Sequence, residues 1–200
     1  IAFNKYIKNY QYLCKSMSDN YNIICDKQNI ILKKNKENKN FLLELTLVNN
    51  NIDIKKIINF KIYELMSELN KDIIEKILIE DTELEDKKKI LFIFKHICQE
   101  FGIPKKYMFL ETEIRSDLNS ENFKIIGTSI KYDGVIENSE QVNSDISLLN
   151  ITLEEDNKMN LTYEFNIEFD ENIPIYMENM FGLLMKKIFY NLKIFIENIQ

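Results

Sequence analysis

Two hundred residues and 23.9 kDa suffice for one ordinary domain or two small subdomains, and 45% hydrophobic with 29% charged residues excludes a disordered chain, a collagen-like fibre and a membrane bundle. The net charge of −6 is unevenly spread: residues 1–61 carry 11 Lys against 5 acidic residues, which leaves a net −12 on residues 62–200. That acidic remainder repels nucleic acid, whose recognition needs a broad basic face.

In chain order, Phe3, Tyr6, Ile7, Tyr10, Leu13, Cys14 and Met17 recur at helical spacing and predict an opening helix that stops near Asn20. Three short apolar runs, at 21–25, 29–32 and 41–48, read as strands in hairpins. Lys33, Lys34, Lys36 and Lys39, between the second and third runs, are expected at a solvated hairpin tip. From 54 to 79 the pattern is double: Ile58, Ile62, Leu65, Leu69, Ile73 and Ile77 fit a helix, whereas Ile58, Phe60 and Ile62 alone also fit a strand. Helix is favoured from Tyr63 onward.

The acidic stretch at 80–86 is the expected boundary between an N-terminal unit, 1–85, and a C-terminal unit, 86–200, unless the two form one continuous domain. A further helix is predicted from Asp86, with Ile90, Phe94, Ile97, Cys98 and Phe101 as its stripe and Gly102 with Pro104 as its stop. Residues 105–170 read as four consecutive strands. In the first, Met108, Leu110, Thr112 and Ile114 alternate with Glu111, Glu113 and Arg115; in the last, Met159, Leu161, Tyr163, Phe165, Ile167 and Phe169 share one face. The closing helix runs from Pro174, suited to a first turn, to Ile199, and its apolar residues cover more than one stripe.

The fold expected is therefore α+β: an antiparallel meander over about 105–170 packed on a long C-terminal helix, with a smaller N-terminal helix-plus-hairpin half. Both halves share a coarse order of helix, strands, helix, which raises a duplication, although no residue-level self-similarity accompanies it.

The chemistry-bearing residues are few. Glu111, Glu113 and Arg115 lie on one face of a predicted strand, and Glu164 and Glu168 on one face of another. Carboxylates clustered in this way hold a divalent cation and, through it, a triphosphate. The Glu-x-Glu-x-Arg run resembles the first strand of the tunnel-type metal-dependent triphosphatases, whose later metal-binding strand also carries alternating glutamates. The resemblance implies Mg²⁺ or Mn²⁺ on Glu111, Glu113, Glu164 and Glu168, with Arg115 or Lys131 on phosphate. That family lines its tunnel with several Arg and Lys, whereas Arg115 is the one arginine of this chain and Asn166 takes the central alternating position of the later strand. Lys131, Tyr132, Asp133 and Gly134 are similar to the Lys-x-Asp-Gly motif of nucleotidyltransferases such as polynucleotide ligases, in which the lysine accepts the nucleotide. Asp133-Gly134 is also an ordinary turn after a strand. Four isolated glycines build neither a phosphate loop nor a dinucleotide fingerprint.

Cys14, Cys25 and Cys98 are an odd set without short-range pairing and read as buried thiols of a reducing compartment. His96 is the one histidine, and it falls on a different helix face from Cys98. Lys5 and Lys8 interrupt the only run suited to a signal peptide. Lys186, Lys187 and Lys193 break the most apolar stretch, so an intracellular protein without a membrane span is expected. The 33 Ile, 25 Asn and 25 Lys, against one Arg, one Ala and no Trp, form the codon signature of an AT-rich genome, as in some bacteria, phages, large DNA viruses and malaria-type parasites.

With no complete active site, the favoured function is a non-catalytic structural or protein-interaction domain without a cofactor, acting through self-association or docking into a larger assembly. Met177, Met180, Phe181, Leu184, Ile188 and Phe195 on the closing helix are the interface candidates. The alternatives are a Mg²⁺- or Mn²⁺-dependent triphosphate hydrolase using the clustered glutamates, and a carrier in which a curved sheet grips the closing helix around an apolar cavity.

Overall fold

Alternation of apolar and polar residues through most of the chain is realised as one sheet. The structure, a computed structural model, describes residues 20–96, 104–117, 121–155, 157–168 and 175–200. The strands are β1 (Tyr21–Lys27), β2 (Ile30–Asn35), β3 (Phe41–Val48), β4 (Ile74–Asp81), β5 (Lys87–Phe94), β6 (Lys105–Ser116), β7 (Asn122–Ser129), β8 (Ser139–Gln141), β9 (Ser147–Glu155) and β10 (Lys158–Phe165). A 3₁₀ turn (Ile54–Ile57) and helix α1 (Lys61–Leu69) join β3 to β4, and helix α2 spans Ile175–Glu197.

The order across the sheet is β1-β2-β3-β10-β9-β7-β6-β5-β4, antiparallel throughout, with the short β8 parallel to β6 off this path. β3 pairs with β10 from Phe41↔Phe165 to Val48↔Lys158, so the N-terminal hairpin strands and the later strands lie in a single sheet. Residues 80–86 close the β4–β5 hairpin inside that sheet.

One sheet face carries the core. Ile30 and Leu32 of β2, Phe41, Leu43, Leu45 and Leu47 of β3, and Met159, Leu161 and Phe165 of β10 alternate inward and pack against Ile188, Phe189, Leu192 and Ile196 of α2. α1 packs on both α2 and β4. Flat strands about 4.8 Å apart would set β3 and β4, six steps distant, roughly 29 Å from one another. Leu47 of β3 and Ile74 of β4 nevertheless wall the same cavity, so the sheet curls around the helix.

Two predicted helices are corrected. The helix expected from Tyr63 to 79 ends at Leu69, and the one expected from Asp86 is strand β5 up to Phe94. In β4 the register shifts between Ile74 and Lys76. The extra residue places Ile74 opposite Phe94 and Ile77 opposite Phe92, a three-residue apolar interval that imitates a helix. β5 is covered on both faces: Leu91 and Ile93 join Phe109 in a small outer cluster, while Phe92 and Phe94 face the cavity, which erases the polar alternation. The opening helix, the predicted helix beyond His96 and Pro174 lie outside the described residues. Cys14 and Cys98 do too, and Cys25 is a half-buried free thiol.

Candidate ligand cavity

Between the curled sheet and α2 lies a cavity of about 90 Å³. Its floor comes from the inward residues of β6, β7, β9 and β10, such as Leu110, Ile125, Ile151 and Leu161; α2 supplies the roof, and α1 with the 3₁₀ turn closes one end through Met66 and Ile57. A second, smaller crevice runs between the first half of α2 and the ends of β5 and β6. It shares Phe94, Met108, Ile167, Met185 and Ile188 with the main cavity and adds Phe181 and Leu184.

The lining holds no charged side chain among the described residues, and its polar members are Tyr63, Ser147, Tyr163 and Asn166. The oxygens of Ser147 and Tyr163, on neighbouring strands, lie 3.1 Å apart. Ser147 reaches inward because Gly127 stands beside it: a Cβ on Gly127 would fall 2.9 Å from Ser147 Oγ. Gly127 pairs in register with Thr112 of β6, whose buried hydroxyl makes no hydrogen bond of normal geometry among the described residues. Burial pushes the Tyr63 phenol far above its ordinary value, the neighbouring Tyr163 raises it further, and a weak hydrogen-bonding interaction with the Thr112 hydroxyl, short of normal hydrogen-bond geometry, opposes both. Burial also raises Tyr163, against the lowering effect of its bond with Ser147. Two phenols and two aliphatic hydroxyls, all neutral, therefore converge at one place: Tyr63, Ser147 and Tyr163 line the cavity, and Thr112 lies on the same face of β6 as the lining residues Met108 and Leu110. Asn166 is set apart, since its Oδ1 accepts from Ser144 Oγ and the Ile146 amide, both at 3.1 Å.

Polar anchors fasten α2 over the cavity at both ends. Near its start, the Glu178 carboxylate takes Lys34 Nζ at 2.5 Å and Lys39 Nζ at 3.3 Å, and Lys34 also lies over the Phe41 ring at 5.4 Å. These two lysines, expected at a solvated tip, instead hold the helix. Burial alone would raise the Glu178 carboxyl, but the hydrogen bonds and charges of Lys34 and Lys39 outweigh it and keep the group below its ordinary value. At the far end Asn49 Nδ2 donates to the carbonyls of Ile196 at 2.5 Å and Ile199 at 3.0 Å. Lys193 donates to the Thr46 carbonyl at 2.6 Å.

The expected metal cluster is not assembled. Glu111 and Glu113 lie on β6 and Glu164 on β10, with β7 and β9 between them, and Glu168 follows β10. Glu113 is bound by Arg115 at 2.5 Å and approached by Lys87 at 3.5 Å; Glu164 accepts from Asn40 Nδ2 at 3.2 Å. No cluster of potential metal ligands occurs among the described residues. Lys131 is exposed after β7, and the turn it opens is packed: the Tyr132 ring meets Phe109 edge-on at 5.1 Å, and Gly134 lies so close to Tyr132 that a Cβ would clash at 2.6 Å.

Of the interface candidates, Met177 and Ile188 are buried, Leu184 packs on the core, and Phe181 with Leu184 lines the second crevice. Met180 is half-buried, and Phe195 is exposed on the outer side of the helix. No helix among the described residues is long and apolar enough to cross a membrane.

No protein-family model matches the chain, and neither does any curated protein sequence. Solved structures do. The human StarD13 (DLC2) lipid transfer and protein localization domain superimposes with a TM-score of 0.71 at 12% identity, over 96% of this chain and 97% of that one. Human StAR-related lipid transfer protein 5 gives 0.73 at 8% identity, over 96% and 93%. A STAR-related lipid transfer protein from Xanthomonas axonopodis gives 0.63 at 10% identity, over 87% and 95%. At such identities the likeness is one of fold, the helix-grip arrangement of a curled antiparallel sheet around a C-terminal helix. It overturns the reading of a structural or docking domain built on an unpartnered helix: the apolar surplus of α2 is turned to a cavity, in a fold shared with lipid transfer domains.

Proposed function

We propose that this chain is a carrier that binds an apolar, lipid-class small molecule in the cavity beneath α2. The observation that carries this reading is the cavity itself, an apolar chamber walled jointly by sheet and helix. The lipid transfer role named for the proteins of like fold supports it. A void of this size costs on the order of 2 kcal/mol in the free protein, which an occupant restores. Ligand pockets usually measure several hundred cubic ångströms, so the occupant has to spread the lining. Met66, Met108, Met159 and Met185 all face the chamber, and flexible thioethers repack at low cost.

The test is uptake of the neutral dye Nile red by the purified chain, read as a blue-shifted emission, together with organic extraction and mass spectrometry of the protein as isolated. Saturable uptake that Leu149→Trp abolishes without altering the circular dichroism spectrum is the expected result. Absence of both uptake and an extractable lipid-sized mass would sink the reading.

A further inference from the structure

We infer that the hydroxyl cluster of Tyr63, Thr112, Ser147 and Tyr163 is a polar subsite that selects ligands with a long apolar body and one uncharged hydrogen-bonding group, a hydroxyl or a carbonyl. This inference rests on the carrier reading and specifies what the carrier accepts.

The argument starts from Thr112. Buried polar atoms in folded proteins are nearly always paired, and an orphan calls for an explanation. Thr112 is 1% exposed, and its Oγ1 is the buried side-chain oxygen that makes no hydrogen bond of normal geometry among the described residues, its interaction with the Tyr63 phenol being a weak one. It projects from the same face of β6 as Met108 and Leu110, which line the cavity. The residues around it are arranged to keep hydroxyls together. Gly127, directly across in register, leaves the space that Ser147 Oγ occupies, and Ser147 is bonded to Tyr163. Tyr63 is delivered from α1 and held by an edge-on contact with Phe92 at 5.6 Å.

Each of these hydroxyls both donates and accepts, so the site matches a ligand hydroxyl or carbonyl in either sense. It offers no cation to a carboxylate or phosphate and no anion to an amine, since no charged side chain lines the cavity among the described residues. An ion brought there would lose its water without gaining a counter-charge. A ligand oxygen that reaches Thr112 gives a full hydrogen bond to a group that in the free protein has only a weak interaction with the Tyr63 phenol, so polar recognition here costs little of that residue's existing bonding.

The experiment compares three probes of equal chain length, 1-hexadecanol, hexadecanoate at pH 8 and hexadecane, by displacement of Nile red from the wild-type chain and from Thr112→Val and Ser147→Ala. Hexadecanol is expected to displace the dye at least tenfold more effectively than hexadecanoate or hexadecane. Thr112→Val should reduce that preference about tenfold while leaving hexadecane unchanged and the melting temperature equal or higher, because an isosteric methyl replaces a buried hydroxyl that makes no hydrogen bond of normal geometry. A purely structural Thr112 would not move the alcohol-to-alkane ratio. Equal displacement by all three probes, or preference for hexadecanoate, overturns the subsite and leaves the carrier standing. Failure of Nile red to bind, together with the absence of an extractable lipid-sized mass, overturns both.

Discussion

Gly182, in the first half of α2, lies directly against the ring of Phe41 on β3: a Cβ at Gly182 would fall 2.6 Å from Phe41 Cε1. The ring has little room to retreat, since it stacks on Phe165 at 5.3 Å and sits under the Lys34 ammonium. This contact sets how closely the helix approaches the sheet. Alanine in place of glycine ordinarily strengthens a helix by about 1 kcal/mol, but overpacking costs about 1–3 kcal/mol. Gly182→Ala should therefore lower the stability measured by urea unfolding, and Gly182→Val should lower it further. An increase with alanine would show that the helix is free to lift.

The pair Lys34 and Glu178 makes the seating of α2 sensitive to acid. Glu178 lies in the first turn of the helix, where the helix dipole adds to the attraction of the two lysines. Its carboxyl titrates below the ordinary value of 4.5 in the folded chain, so the unfolded chain binds this proton more readily. The stability it confers is complete above about pH 5 and is lost as the pH falls below 4.5 toward the folded value. Glu178→Gln should cost on the order of 1–2 kcal/mol at pH 7, between the values for surface and buried pairs. The cost should shrink below pH 4. Melting temperatures of both chains from pH 3 to pH 7 test this, and parallel curves would remove the pair from the acid response.

The parts of this fold that stand out in the sequence are those with one wet and one dry face. β10 is the clearest, with Met159, Leu161, Tyr163 and Phe165 inward, and β3 alternates as cleanly. β4 and β5 are hidden for opposite reasons, a bulge at one and burial on both faces at the other. The excess apolar surface of α2 is visible but ambiguous, because a helix gripped around a cavity and a helix docked on a partner carry the same residues. The hydroxyl subsite leaves almost no trace: Tyr63, Thr112, Ser147 and Tyr163 come from three strands and a helix, and only the sheet order together with the packing of α1 brings them together. The glutamates of β6 and β10 attract notice, yet alternation places them on a sheet face without making their strands neighbours.

Asn49 is the latch at the other end of α2. It is 3% exposed, and its amide reaches the carbonyl of Ile196 in the last turn, which among the described residues otherwise takes only the Ile199 amide at 3.4 Å, and the carbonyl of Ile199 just past the helix end. The same side chain accepts the Asn51 amide through Oδ1 at 2.7 Å. Asn49→Ala should cost about 1–3 kcal/mol, the penalty for leaving buried polar groups unpaired. It should also accelerate amide hydrogen exchange in the last two turns of α2 more than in β3. Uniform acceleration across both elements would assign Asn49 to global stability instead of to the helix end.

Filling the chamber separates stability from binding. Leu149 lines the cavity without being fully buried, so an indole at that position is directed into space that is already empty. Leu149→Trp should raise the melting temperature of the ligand-free chain, because new contacts replace a void that costs on the order of 2 kcal/mol. Saturating ligand should then stabilise the wild-type chain by about 2.7 kcal/mol at a concentration one hundred times its Kd, while the variant gains almost nothing. The variant is the more stable chain without ligand and the wild-type is the one that ligand stabilises, so a single series of thermal melts with and without hexadecanol measures both. If the tryptophan variant is both less stable and still protected by the alcohol, the chamber is not where the ligand binds.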